Sequence, residues 1–295
     1  MKATIERATL LKSLGHVQSV VERRNTIPIL SNVLIEAKED GSLRLMATDL
    51  DLQVDESVPA QTLRQIIDKT RFAISSEETR YYLMGIFIHV ADEKLKAAAT
   101  DGHRLARVTV DKPEGADGMP DIIIPKKCVG ELRKLLDEVE GTVELSLSAT
   151  KVRFGLGNAI LTSKLIDGTF PDYTRVIPTG NDKLLKLDPK SFMEGVDRVA
   201  TIASEKTRAV KINLDRDKVV LSVTSPESGT ATEELPADYS ADGLEIGFNA
   251  RYLMDILHEI EGDTVEVHLA DAAAPTLLRE NDKAAALYVL MPMRV

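Results

Sequence analysis

Asp101 and His103 stand two residues apart in ATDGHRLARV, Ala99 to Val108, and on a strand that spacing puts a carboxylate and an imidazole on one side. A general base with its orienting carboxylate has this composition. It also requires a nucleophile opposite, and no recognisable motif in the chain supplies one. The plainer reading is an Asp-Gly turn followed by a histidine that lines a pocket. Asp49, Asp51 and Asp55 carry metal-ligating groups, but their segment lacks the glycine and closing glutamate of a calcium loop, which favours a solvated strand edge. Cys128, the one cysteine, lies in KKCVGELRKLL, where a half-buried inert thiol on a helix face is expected and no internal disulfide framework is possible. The phosphate-cradling patterns GxxxxGKS/T and GxGxxG do not occur.

What remains is the chemistry of binding. Predicted helices and their ends carry Lys12, Arg23 and Arg24, then Arg64, Lys69, Arg71 and Arg80, then Lys126, Lys127, Arg133 and Lys134, then Arg198, Lys206 and Arg208. Acidic residues such as Glu227, Glu233 and Glu234 gather elsewhere. Cations so placed suit phosphates approached without any reading of bases; for any single one, an ordinary solvated helix face is the alternative. The second feature is the final run YVLMPMRV, densely apolar where a terminal strand is usually frayed and polar. Met291 and Met293 are flexible and polarisable, which suits a surface that accepts several partners, although a methionine taken alone is more often plain core.

These residues are positioned by a repeat. A shortened echo of ATDGHRLARV stands at Ala47 to Val54 as ATDLDLQV, and PILSNVLIEAKEDGSLRLM (Pro28 to Met46) precedes it as YYLMGIFIHVADEKLKAA (Tyr81 to Ala98) precedes the longer copy. Amphipathic helical spacing comes before each: Leu10, Leu11, Leu14, Val17, Val20 and Val21 in one, Leu63, Ile66, Ile67, Phe72 and Ile74 in the other. LLDEVEGTVELSL (Leu135 to Leu147) returns as ILHEIEGDTVEVHL (Ile256 to Leu269). The repeating unit is a strand, a helix, then several strands.

Five units follow in order. The first, to Ala60, opens with a strand KATIER, a helix to about Glu22 and strands through Leu34, Leu43 and Leu52. The second, to about Lys112, has a helix from Leu63 and strands through Phe87, Leu95 and Leu105. After the loop Asp111 to Asp121, the third runs through IIIP, a helix from Lys126 to Glu138, and VELSL, KVRFGL and AILTSKL. Pro171 to Pro178 and the polar TGNDK read as a linker. The fourth has a helix from Pro189 to Ala203 with AVKINL and KVVLSV. The fifth starts at LEIGF and continues through a helix from Ala250 to Ile260. Alternating strands bury one face of each sheet, as with Val219, Leu221 and Val223. Helices on one side of antiparallel sheets make an α+β fold, with domains 1–60, 61–178 and 179–295. A chain of 295 residues is too long for one ordinary core. Its net charge of -10 argues against a generally basic coat for nucleic acid while leaving room for a local basic surface. No signal peptide is visible, since Met1 to Gln18 carries Lys2, Glu6, Arg7 and Lys12, and no apolar run approaches the roughly 20 residues that span a bilayer. A cytoplasmic protein is expected, without cofactor, metal or membrane partner.

MKATIERATLLK, TIPILSNVLI, ATDGHRLA, SKLIDGTFPDY and YVLMPMRV, in this order over essentially the whole chain, resemble the beta subunit of bacterial DNA polymerase III, the sliding-clamp family. The resemblance implies a DNA-clamp fold with antiparallel sheets outside and helices inside, two units per domain, three domains per subunit, and a head-to-tail homodimer around duplex DNA. Its partners would be DNA bound independently of sequence, the polymerase III catalytic subunit, the clamp loader and other clamp-motif proteins; its role would be processivity, not catalysis. The alternative is a clamp-derived peptide-binding module that never encircles DNA.

The implied partner-peptide site consists of Leu83, Thr100, Gly102, His103, Arg104, Leu105, Pro178, Val289 and Met291, flanked by Arg80, Tyr82, Asn249, Tyr252, Pro292, Met293 and Arg294. The DNA candidates are Arg24, Arg71, Arg80, Lys126, Lys127, Arg198 and Lys206, of which Arg24, before TIPIL, matches a DNA-contacting family arginine. Two departures stand out. Met84 replaces the usual Asn after RYYL, and five units stand where the family has six, the second half of the N-terminal domain being absent near Ala60 to Thr62. Part of one dimer edge goes with it, the other edge lying near Ile202, and the first unit should expose the face of Leu34 and Ile35. An open crescent or lone units paired between two chains is favoured over a tight ten-unit ring.

Overall fold

Strands Lys218–Ser225 and Lys151–Leu156 bury every second residue, Val219, Leu221 and Val223 in the first, Val152, Phe154 and Leu156 in the second, so each sheet turns one face to a core. The computed structural model describes residues 6–18, 32–37, 43–46, 55–204 and 208–294. These fall into two units, Met1–Arg64 with Ile124–Leu165, and Gln65–Ile123 with Ile166–Val295.

The first unit holds α1 (Arg7–Gln18), the hairpin of β1 (Leu34–Ala37) and β2 (Leu43–Met46), β3 (Asp55–Pro59), the start of α2 (Ala60–Thr70), α3 (Lys126–Leu136), β8 (Thr142–Leu147), β9 (Lys151–Leu156) and β10 (Ala159–Lys164). Of the opening strand expected over KATIER, residues 1–5 lie outside the described ones, and Arg7 begins a helix. The Glu6 carboxylate accepts the backbone N–H groups of Ala8 and Thr9 at 2.9 and 2.7 Å, supplying partners that the first helical turn lacks. β3 pairs with β8, Asp55 opposite Ser146 and Pro59 opposite Thr142, in a four-stranded sheet of order β10-β9-β8-β3; among the described residues β1 and β2 form a sheet of their own. Leu34 and Ile35 are exposed, 57% and 48%, as expected of that face.

The second unit carries β4 (Gly85–Ala91), β5 (Lys94–Thr100), β6 (Arg104–Asp111) and the start of β7 (Ile122–Pro125), then β11 (Lys183–Leu187), β16 (Val265–Leu269), β17 (Thr276–Arg279) and β18 (Ala286–Leu290). All eight form one sheet, β11-β16-β17-β18-β6-β5-β4-β7. Its middle is the antiparallel pairing of β18 with β6, Val289 opposite Leu105 and Leu287 opposite Arg107. The other sheet, β14-β13-β12-β15, is built from β12 (Ala209–Asp215), β13 (Lys218–Ser225), β14 (Gly229–Pro236) and β15 (Leu244–Asn249). α4 (Pro189–Ala200) and α5 (Ala250–His258) pack on one another. Asp188 caps α4 by accepting Ser191 N–H at 2.6 Å, with Pro189 in the first turn, and Asn249 caps α5 by accepting Tyr252 N–H at 3.2 Å. A Cβ on Gly195 would meet Leu221 and Leu235 at 3.1 Å, so glycine is what lets α4 lie close against β13 and β14.

The helix–strand repeat seen in sequence is realised as α3–β8 and α5–β16. Three expectations change. Phe72 and Ile74 lie outside the α-helix: α2 stops at Thr70, Phe72 falls in the 3-10 turn Arg71–Ala73, and Ile74 is extended. β14 adds a strand that the sequence reading lacked. Pro171 to Pro178 is no loose linker, because Tyr173–Val176 form a 3-10 turn and Phe170 and Tyr173 are buried.

Candidate partner-binding pocket

The TDGHR segment is a turn held by its own polar groups. Thr100 ends β5, and its hydroxyl donates to the Arg104 carbonyl at 2.7 Å while accepting Gly102 N–H at 3.1 Å. One Asp101 oxygen accepts the N–H groups of His103 and Arg104 at 2.9 and 3.1 Å; the other takes Arg104 Nε at 3.1 Å. Gly102 sits at φ +89°, and a Cβ there would stand 2.6 Å from Arg80 Nη1, so the turn needs glycine. Arg80 donates to the Asp101 carbonyl at 3.1 Å and to Glu77, whose carboxyl is held below its ordinary value by hydrogen bonds from Thr79 and then Arg80.

Arg104 is spent internally. Besides Asp101 it donates to Asp255 at 2.5 Å and to the Phe72 carbonyl at 2.6 Å, and its guanidinium lies 5.1 Å from the Phe72 ring and 4.3 Å from Tyr252. Only 9% of its side chain is exposed. It therefore fixes the turn to α5 instead of offering donors to a ligand. The His103 ring, exposed, lies 6.1 Å from the Tyr252 ring at 24°, and the His103 carbonyl accepts Met291 N–H at 2.9 Å.

Beneath the turn lies an apolar floor. Leu83, Leu105 and Val289 are buried in one cluster with Ala98, Ile123, Leu277, Leu287, Phe170 and Tyr173, and Tyr82, Phe87, Ile166 and Ile177 pack against it. Leu105 and Val289 face one another across β6 and β18, and cross-strand pairs of this kind usually bring their Cβ atoms to about 4.5–5.5 Å. Met291 follows directly, 38% exposed, and Met293 pairs with Gly247. Tyr82, Thr100, Asn249, Tyr252, Pro292, Met293 and Pro178 are half-buried and Arg294 exposed. Sequence reasoning missed Phe170, Tyr173 and Ile177, and also Val176, 46% exposed beside them; the apolar spacing within the supposed linker was their signal. Phe87 stacks on Phe170 at 4.8 Å, and Tyr173 hydroxyl meets His89 Nε2 at 2.9 Å. Burial lowers the His89 pKa and raises that of Tyr173.

The candidate cations differ in their local settings. Arg24 and Lys206 lie outside the described residues, as do Asp49 and Asp51. Arg71 is exposed, 3.6 Å from Asp68. Lys126 and Lys127 are exposed in the first turn of α3, where cations oppose the helix dipole. Arg80 belongs to the turn described above. Arg198 donates to Glu233 through Nε and Nη2, at 2.9 and 2.5 Å, and lies 3.6 Å from Glu194; its hydrogen bonds to Glu233 raise its pKa. Asp101 spends its carboxylate on backbone N–H groups and Arg104, not on the His103 ring. Cys128 is buried, and burial pushes its thiol up to about 12, too high for a nucleophile at neutral pH. Among the described residues no group of three or more His, Cys, Asp or Glu is placed to hold a metal, and no helix is long and apolar enough to cross a membrane.

Family models for the DNA polymerase III beta subunit match three stretches, the N-terminal domain over residues 1–68, the central domain over 57–172 and the C-terminal domain over 174–294. The beta sliding clamp of Caulobacter vibrioides is 44% identical over 373 aligned positions that cover all of both chains, and that of Pseudomonas putida 33% over 367. Among solved structures, a sliding clamp from Bartonella birtlesii bound to griselimycin superposes with a TM-score of 0.91 at 40% identity, covering 99% of this chain and 98% of that one. The polymerase sliding clamp from Caulobacter crescentus gives 0.89 at 41% identity, covering 99% of each.

Proposed function

The chain belongs to the family of the DNA polymerase III beta subunit, the bacterial sliding clamps, and on that premise we propose that it is a non-catalytic processivity factor that holds polymerase and other clamp-binding proteins on duplex DNA. Those partners dock through the pocket at the β6–β18 seam. The observation that carries the reading is the pairing of Leu105 with Val289, with exposed Met291 and His103 at the mouth. An extended peptide with apolar anchors is the ligand that such a floor suits, since a few buried anchors usually dominate binding of this kind. DNA is met by cations including Lys126, Lys127 and Arg71, the domains are taken as 1–60, 61–178 and 179–295, and the protein works in the cytoplasm as a homodimer.

Met291→Ala should weaken binding of a clamp-motif peptide about tenfold while the fold stands. Adding Leu105→Ala should abolish it, at a stability cost of about 2–5 kcal/mol for the buried leucine. Unchanged affinity in both variants refutes the pocket. A second reading, a peptide-binding module that does not encircle DNA, is favoured by one observation: the alignment runs over 373 positions against 295 residues, and the N-terminal match stops at residue 68. Retention on closed circular DNA with loss from linear DNA selects the ring, whereas equal, salt-sensitive retention on both selects the module. Sedimentation equilibrium over a wide concentration range separates dimer from monomer.

A further inference from the structure

We propose that Arg107 is a specificity-determining residue that receives a carboxylate carried by the docked peptide, so that the pocket prefers acidic peptides among those with equal apolar anchors. This deepens the pocket reading above and rests on it.

Arg107 follows Leu105 by two residues on β6 and so projects from the same face. It stands opposite Leu287 on β18 and Ala98 on β5, both members of the apolar cluster that includes Leu105 and Val289. The ladder therefore reads Leu105–Val289 at one rung and Arg107–Leu287 at the next, an apolar floor that continues into a cation. That cation is half-buried, and its Nε is buried with no hydrogen-bond partner. Among the described residues it makes no ion pair. Other arginines of the same molecule are treated differently: Arg104 is clamped by Asp101 and Asp255, and Arg198 by Glu233.

The groups near Arg107 do not meet its need. Tyr173 is close enough for the two to influence one another electrostatically, but its hydroxyl is engaged with His89. One rung further along the same face, Thr109 has a buried hydroxyl oxygen that also lacks a partner. Two donors thus end the apolar stripe with nothing to receive them. A half-desolvated guanidinium without a counter-charge is costly to maintain, and a carboxylate is the group that answers its charge and its planar fork together. A main-chain carbonyl answers the geometry alone.

The test uses the full chain and fluorescein-labelled extended peptides with two leucine anchors, in pairs that differ by glutamate against glutamine at each position flanking an anchor in turn. Affinities are read by fluorescence anisotropy at low and high salt. For at least one position the glutamate peptide should bind about tenfold more tightly than its glutamine twin, and high salt should narrow the gap. Arg107→Gln should cut that preference to about twofold or less with the glutamine peptide bound as before, and Arg107→Lys should restore part of it. If every pair binds the native chain equally, or if the preference survives Arg107→Gln, the role of Arg107 is overturned while the pocket stands. If no peptide binds the native chain, the pocket reading falls and the inference with it.

Discussion

Arg104 does its work by being unavailable. Its guanidinium closes two carboxylates and a carbonyl and lies between two rings, so replacing it leaves Asp101, whose side chain is 15% exposed, without its cation. Arg104→Met should lower stability by about 3 kcal/mol, the scale seen when one partner of a buried pair is removed. Arg104→Lys should recover little of that, because an ammonium supplies neither the fork nor the flat face. Urea denaturation reads both, and an unmoved midpoint counts against this account. His89 gives a pH dependence. Burial, its main cause, holds its pKa below the ordinary 6.5, so acid protonates the unfolded chain before the folded one. Its contribution is intact above about pH 6.5 and is lost as the pH falls from there through the lowered folded value. Melting temperatures between pH 7.5 and 5 should therefore decline, and His89→Asn should flatten part of the decline. Equal slopes in both chains would rule this out.

At the level of elements, capping and packing decide where helices begin and stop. Asp188→Ala removes the acceptor that meets Ser191 N–H at the start of α4 and should cost about 1 kcal/mol, readable as a fall in melting temperature, with Asp188→Asn close to neutral. Elements of this kind were legible in the sequence. The α3–β8 and α5–β16 units showed as one repeated pattern, and strands such as β13 declared themselves by alternation, because both signals are local. The contact that makes the pocket is not local. Leu105 and Val289 carry no mark of one another in the chain, and only the resemblance put them on one list. Phe170 and Tyr173 were hidden for another reason: proline, aspartate and threonine around them give the segment a linker's composition while two aromatic rings sink into the floor. Arg198 reads as a free cation, and Arg104 as a ligand-facing one, because a sequence shows charge and not its partner.

Across the whole molecule stability should be uneven. Among the described residues β1 and β2 form a two-stranded sheet with all of β1 exposed, and such hairpins are marginal in water. Deuterium exchange should reach the amides of β1 and β2 at the earliest time point and those of β12 and β13 last; protection of similar length in both would refute this. The seam between β6 and β18 also bears on the history of each molecule. On a ribosome working at about 5–20 residues per second, Val289 emerges about 10–40 s after Leu105. Throughout that interval the floor has one wall, so on the proposed pocket a nascent chain is blind to peptide partners and competes for them only after β18 has been made and has closed on β6.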